Sequence, residues 1–192
     1  DGSHAEDGIY VMLKEALDNS IDEFRMHEGH RIEIDITDNK SITLRDYGRG
    51  IPQGKMIEAV SQLNTGGKYD SKAFKKSVGM NGVGIKAVNF LSSKFEVRSY
   101  RDGNVRTAKF EKGILVSDKT EKSSDERGTF ISFEPDDTLF VNYSFHDDIV
   151  ETMLRNYTYL NTGLAIMYNG RRIISRHGLS DLLKDQMTSE PL

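Results

Sequence analysis

Hydrophobic residues near the start of the chain recur at helical spacing. At about 100° per residue, one arc takes in the side chains of Ile9, Leu13, Ala16, Leu17, Ser20 and Phe24, which is the pattern of an amphipathic helix that buries one face. The opposite arc carries Glu15, Asn19 and Asp22. The pattern therefore predicts a helix over residues 7–28 with its polar chemistry on one outward face.

Alternating polar and apolar positions follow this helix. Residues 31–37 alternate, residues 38–40 form a polar turn, and residues 41–45 continue as a strand, which predicts a β-hairpin. Further strand-like runs occupy 95–100, 105–110, 114–116, 129–133, 164–168 and 172–175, and helical spacing returns over 55–63, 83–91, 145–160 and 179–186. Residues 118–127 are predicted as a charged surface loop, and Met12, Met26 and Met56 as core residues. The order of elements predicts an α+β fold in two layers, with a mostly antiparallel sheet.

Composition narrows the class of protein. The 192 residues are 36% hydrophobic and 29% charged, so we expect one domain with a substantial core. A net charge of −4 argues against a chain whose own surface binds a nucleic-acid backbone. The absence of cysteine excludes disulfides, thiolate metal ligands and a cysteine nucleophile. Apolar runs fall far below the roughly 18 residues of a membrane span, so we expect a soluble cytoplasmic domain with no membrane partner.

The outward face of the first predicted helix is unusually acidic. Glu15, Asn19 and Asp22 stack on one face, and Asp18 and Glu23 flank them without a cation four residues later. A solvated helix face is the simpler interpretation. The alternative is a bound cation or polar ligand that relieves the repulsion, and an asparagine among carboxylates suits Mg²⁺.

Asp46 lies where a predicted strand runs into the turn Gly48-Arg49-Gly50-Ile51-Pro52. Its carboxylate could stabilise its own turn by bonding to backbone two residues on. It could instead accept an N–H from a ligand, with the glycines allowing the backbone to come close. The sequence alone leaves both interpretations open.

Glycines and lysines dominate the segment from 64 to 84. Gly79, Gly82 and Gly84 lead into a predicted helix, where free backbone N–H groups and the helix dipole favour a phosphate. The pattern is neither a P-loop nor a dinucleotide fingerprint. Gly66-Gly67-Lys68 on the same stretch strengthens the phosphate interpretation, whereas a solubilising flap is the alternative.

In chain order, five motifs resemble those of the GHKL ATPase family. They are 15–23, Asp46-x-Gly48-Arg49-Gly50-Ile51-Pro52, Gly66-Gly67-Lys68-Tyr69-Asp70, Gly79-x-x-Gly82-Val83-Gly84 and Gly128-Thr129-x-x-x-Phe133. Within the family, the chain resembles the ATPase domain of the B subunits of bacterial type IIA DNA topoisomerases, over nearly all of its length. The resemblance implies a two-layer α/β sandwich of the Bergerat type, with a mixed, mostly antiparallel sheet and helices on one face. It also implies a single domain over 1–192 with a nucleotide lid at about 64–84.

The resemblance implies a role for each matched residue. Glu15 corresponds to the general base, Asn19 to the Mg²⁺ ligand, and Asp46 to the carboxylate that accepts the adenine amino group with help from Thr129. Arg49 and Pro52 match the outer wall where ATP-competitive inhibitors bind, and Thr107 falls where many gyrases carry a rim arginine. The remaining implied ATP-binding residues are Gly50, Ile51, Lys68, Gly79, Met80, Asn81, Gly82, Val83, Gly84 and Ile85.

The function implied is ATP binding and hydrolysis in a type II DNA topoisomerase, with ATP and Mg²⁺ as cofactors. The implied parent enzyme is topoisomerase IV rather than gyrase, and an ATP-driven dimer clamp would power strand passage. Partners would be a second B subunit and an A-type subunit, with DNA bound through other domains. We also expect the chain to be a fragment that lacks the family's N-terminal arm and transducer domain. Alternatives are the gyrase B ATPase domain, a GHKL protein clamp unconnected with DNA topology, and a non-enzymatic metal-binding domain around 15–23.

Overall fold

A single eight-stranded sheet organises the part of the molecule that the structure describes. The structure is a computed structural model that describes residues 2–61 and 84–189. The strands are β1 (Arg31–Thr37), β2 (Ser41–Asp46), β3 (Ser92–Arg101), β4 (Asn104–Glu111), β5 (Ile114–Lys122), β6 (Gly128–Pro135), β7 (Ala165–Tyr168) and β8 (Arg171–Ile174). The α-helices within the described ranges are α1 (Gly2–Arg25), α2 (Met56–Ser61), α3 (Gly84–Phe90), α4 (Asp147–Leu160) and α5 (Leu179–Ser189), and a 3₁₀ turn spans Gln53–Lys55.

The sheet has the order β5-β4-β3-β6-β2-β1-β7-β8. Only the β1–β7 pair is parallel among these neighbours, so the prediction of a mixed, mostly antiparallel sheet is confirmed. In the register of β2 with β6, Arg45 faces Phe130. The end of β2 therefore lies beside the start of β6, which brings residues 46 and 129 together although they are far apart in sequence.

The helices pack on one face of the sheet and enclose the core. In the predicted arc of α1, Ile9, Leu13 and Leu17 are fully buried, as their spacing predicts, whereas Phe24 near its end is half-buried. The arc meets inward-facing strand residues such as Ile34 and Leu44. The alternate residues of β1 face outward and are half-buried or exposed, so the two-layer architecture is confirmed.

Three predictions from the sequence are wrong. Residues 118–122 continue β5 rather than forming a loop, because the ladder with β4 extends to the pair Asn104↔Lys122, and backbone pairing does not require apolar side chains on an edge strand. Met26 is 51% exposed rather than in the core. The helix ends at Arg25 instead of residue 28, and His27 turns the chain with a φ of 62°.

Candidate functional site

The Asp46 carboxylate is buried and held by three donors from three parts of the chain. Ser20 Oγ on α1 donates to Oδ2 at 2.6 Å. The backbone N–H groups of Gly48 and Thr129 donate to Oδ1 at 3.1 and 3.0 Å. The bond from Gly48 is the local turn bond expected of an aspartate at this position. A carboxylate has about four acceptor sites, so Oδ2 keeps capacity for one more donor.

A cavity of about 480 Å³ opens beside this carboxylate. Three elements supply its apolar surface, namely the turn after β2 (Ile51, Pro52), α2 (Ala59, Val60) and the start of α3 (Ile85). An apolar hollow with a few convergent polar groups is typical of a small-molecule site. The structure brings these sequence-predicted residues together around it: Asn19, Asp46, Arg49, Gly50, Ile51, Pro52, Ile85 and Thr129.

A wider hollow of about 630 Å³ lies between α1 and α4. Its lining includes Ile149, Met153 and Leu160, and its one carboxylate, Asp148, is exposed. A solvated carboxylate has little reason to select a ligand, whereas Asp46 is only 4% exposed. The cavity beside Asp46 is therefore the candidate site.

Glu15 lies one helical turn from Asn19 and close to the start of α3. A Cβ added at Gly84 would collide with its carboxylate, and glycine is what permits this approach. Burial raises the pKa of Glu15, the nearby charge of Asp18 raises it further, and Lys14 lowers it. Glu15 thus has the environment of a carboxylate that is easier to protonate than a solvated one.

The acidic face of α1 is partly compensated from within the chain. Glu23 binds Arg49 in a two-pronged ion pair, with Arg49 Nε and Nη2 at 3.2 and 2.9 Å from its oxygens. The hydrogen bond from Arg49 also lowers the pKa of Glu23. Asp18 pairs with Lys14 at 3.2 Å. No cation stands four residues after either acid, as the sequence shows, and their partners lie elsewhere: Lys14 is four residues before Asp18, and Arg49 is distant in sequence from Glu23.

Three residues of the site are not predicted from the sequence. The helical spacing puts Ser20 in the apolar arc, and the available signal is a polar residue inside that arc. Glu23 lines the cavity, although no local pattern connects it with Arg49. Arg101 also lines the cavity and donates to the Gly50 carbonyl at 2.9 Å. It supplies a rim arginine, whereas Thr107 lies in β4 opposite Arg98 and is not among the lining residues.

Part of the predicted site lies outside the described residues. These positions are Lys68, Gly79, Met80, Asn81, Gly82 and Val83, together with Gly66 and Gly67. Gly84 and Ile85 are described, at the start of α3. Within the described ranges, no cluster of three or more His, Asp or Glu side chains is arranged to hold a metal. No helix in those ranges is both long and apolar enough to span a membrane.

Comparison with known proteins gives a consistent result. Residues 4–139 match the family model for histidine kinase-, DNA gyrase B- and HSP90-like ATPases. The B subunit of DNA topoisomerase 4 from Borreliella burgdorferi is 50% identical over the whole chain, which covers 32% of that protein. The B subunit of DNA gyrase from Enterococcus faecalis is 36% identical over 181 residues, covering 89% of this chain and 28% of that protein. The chain thus spans about a third of the length of these curated relatives.

A solved structure has the same architecture. The 43K ATPase domain of Thermus thermophilus gyrase B, determined in complex with an aminocoumarin, superposes with a TM-score of 0.72 at 26% identity. The match covers 94% of this chain and 50% of that one.

Proposed function

The chain belongs to the family of histidine kinase-, DNA gyrase B- and HSP90-like ATPases, and from that premise we propose that the cavity beside Asp46 binds the adenine base of ATP. The observation that carries this proposal is the buried Asp46 carboxylate with one acceptor site to spare. An exocyclic amine of adenine satisfies that acceptor. Guanine presents a carbonyl oxygen at the corresponding position, which would leave two acceptors facing each other, so the site would discriminate against it.

The proposed catalytic chemistry depends on Glu15, which lies one helical turn from the cavity-lining Asn19 and against Gly84, and is not itself among the lining residues. Glu15 accepts a proton from the attacking water as that water's oxygen bonds to the terminal phosphorus and the bond to ADP breaks. Its raised pKa suits this task, because a general base acts best when its pKa lies nearer the working pH. Acid–base help of this kind is worth about 10²- to 10⁴-fold in rate.

We assign magnesium binding to Asn19. Its side chain is exposed, lines the cavity and lies one turn from Glu15. An amide oxygen suits a hard cation that takes few protein ligands and completes its shell with water and phosphate. When bound, Mg²⁺ would neutralise charge on the phosphates. The phosphate-binding roles of Lys68 and residues 79–85 stay predictions, to be tested with those of Asn19 and Glu15.

We further propose that the parent protein is the B subunit of a bacterial type IIA topoisomerase. The identity of 50% to the topoisomerase 4 relative, against 36% to the gyrase relative, favours topoisomerase IV. Such a protein would act in the cytoplasm with a second copy of itself, an A-type subunit and DNA held by other domains. Decatenation by the full-length protein with its A-type partner would support this assignment. Supercoiling would instead indicate gyrase. The absence of both activities would indicate a protein clamp unconnected with DNA topology.

The cavity should also accept ATP-competitive inhibitors. The related gyrase B domain was solved with an aminocoumarin. In this chain, Arg49, Pro52 and Arg101 border the cavity, so an inhibitor with its donor on Asp46 would lie against them.

The test is calorimetric titration with a non-hydrolysable ATP analogue and Mg²⁺. Asp46→Asn presents an N–H to the adenine amine or alters the bonds from Ser20 and Gly48, so we expect affinity to fall at least about tenfold. Glu15→Gln should bind normally but lose turnover, by about 10²- to 10⁴-fold, in the full-length enzyme. The matched control is Asp22→Asn, an exposed carboxylate of α1 outside the cavity lining. Undiminished binding by Asp46→Asn would refute the assignment of the base site.

A further inference from the structure

Arg45 occupies an unusual position directly behind the site. It precedes Asp46 in β2, so its side chain leaves the opposite face of the sheet, the face without helices. Its guanidinium lies between two aromatic rings, 4.4 Å from the centroids of both Tyr47 and Tyr100. The guanidinium of Arg31 also packs on the ring of Tyr47, 4.1 Å from its centroid.

The same guanidinium donates hydrogen bonds to three backbone carbonyls. Arg45 Nη1 donates to the carbonyl oxygens of Asp46 and Arg127, the latter at 3.3 Å. Arg45 Nη2 donates to the carbonyl of Glu126. The Arg45 side chain therefore links the backbone of residues 126–127, which leads into β6, to the last residue of β2.

This segment delivers a donor to the cavity. Gly128 has a φ of 137°, and a Cβ there would collide with the Asp46 carbonyl and with Arg45 itself. The next residue, Thr129, is 6% exposed and donates its backbone N–H to Asp46 Oδ1. The position of that N–H thus depends on backbone that Arg45 holds from the other side of the sheet.

We propose that Arg45 is a positioning residue for the nucleobase site. It holds the 126–129 backbone so that the N–H of Thr129 keeps the Asp46 carboxylate turned towards the ligand's amine. This inference rests on the proposed function, since it names what orients the base-reading group. Lysine cannot replace it, because an ammonium lacks the planar fork that reaches several carbonyls and stacks between two rings.

Variants of Arg45 and of a matched arginine test this role. Arg98 lies on the same sheet face, stacks on Phe130 at 4.5 Å and pairs with Glu96. It has no hydrogen bond to the 126–128 carbonyls among those the structure describes. We expect Arg45→Met and Arg45→Lys to weaken binding of the ATP analogue about tenfold and to narrow the preference for ATP over GTP. Arg98→Met should leave both unchanged.

A second measurement reads the positioning directly. Amide hydrogen exchange of Thr129, followed by NMR in the chain without nucleotide, should be at least tenfold faster in Arg45→Met and unchanged in Arg98→Met. Turnover per bound nucleotide in the full-length enzyme should stay within twofold, because Arg45 holds backbone beside Asp46, whereas Glu15 lies on α1 against Gly84. Equal losses of affinity in both variants, or unaltered Thr129 exchange in Arg45→Met, would overturn the inference. If the unmodified chain binds no nucleotide, the proposed function fails, and the exchange of Thr129 still decides whether Arg45 holds the segment.

Discussion

At the scale of the residue, burial and two neighbouring charges on α1 determine how readily Glu15 takes up a proton. Its pKa is raised by burial first and by Asp18 second, and Lys14 acts in the opposite direction. Because the folded pKa lies above the unfolded one, Glu15 contributes stability below its unfolded pKa and loses that contribution as pH rises through the folded pKa. The same shift brings the group closer to the pH at which it would act as a base.

Asp18→Asn should therefore lower the pKa of Glu15. The substitution removes a negative charge and releases Lys14 from its ion pair with Asp18, and both changes favour the ionised carboxylate. Lys14→Met should move the pKa upwards. The measurement is a titration of the Glu15 side-chain carboxyl by carbon-13 NMR, with the exposed Asp22→Asn as control. A shift of equal size in the control would mean that general charge, rather than Asp18, governs Glu15.

At the scale of the element, the turn between β2 and α2 depends on one of its glycines, Gly50. Gly50 has a φ of 79°, and a Cβ there would come within 3.0 Å of the Tyr100 carbonyl, 3.1 Å of the Gly128 carbonyl and 2.9 Å of Arg101 Cγ. Backbone carbonyls cannot move aside as a flexible side chain can. By contrast, Gly54 in the 3₁₀ turn has open space where a Cβ would lie.

These two glycines give a matched pair of substitutions. Gly50→Ala combines positive-φ strain with a clash, so we expect a loss of about 1–3 kcal/mol in the free energy of unfolding and weaker nucleotide binding. Gly54→Ala should be neutral or stabilise by about 0.4–1 kcal/mol, since it only restricts the unfolded chain. Urea unfolding of both variants checks this. Equal stabilities would show that the turn relaxes around the added methyl group.

Local patterns predict most elements, because hydrophobic spacing reports which face of a helix or strand is buried. The hairpin of β1 and β2 has nearly the predicted bounds, and the buried arc of α1 is the predicted one. The charged residues 118–122 show no hydrophobic alternation that would predict a strand. They belong to β5 because they form a hydrogen-bonded ladder with β4. The pairs Glu23–Arg49 and Ser20–Asp46 each join residues 26 positions apart, and no local spacing encodes them.

The roles of the site residues depend on motifs in a fixed order rather than on any one of them. Asp46 alone leaves two interpretations open, and the structure accommodates both. One oxygen accepts the turn N–H of Gly48, and the other keeps an acceptor site beside the cavity. Arg45 carries no signal in the sequence, because its effect on the site passes through the backbone of 126–129.

At the scale of the whole molecule, the cavity is bordered by elements drawn from most of the chain. Residues of α1, the end of β2 and the turn after it, α2, α3, β3 and β6 line it. A ligand that bonds to Asp46 therefore contacts surfaces that exist together only in the folded chain. If the chain is one domain, as predicted, these elements unfold together and ligand binding stabilises all of them at once.

Nucleotide should consequently raise the stability of the entire chain. With the free ATP analogue at 100 times its dissociation constant, we expect about 2.7 kcal/mol of added free energy of unfolding. Urea unfolding followed by fluorescence and by circular dichroism should show one coincident transition that moves to higher urea. Gly54→Ala should respond as the unmodified chain does, whereas Asp46→Asn at the same ligand concentration should gain about half as much free energy of unfolding or less. Two separate transitions, of which only one moves with nucleotide, would show that the elements around the cavity do not form one cooperative domain with the rest of the sheet.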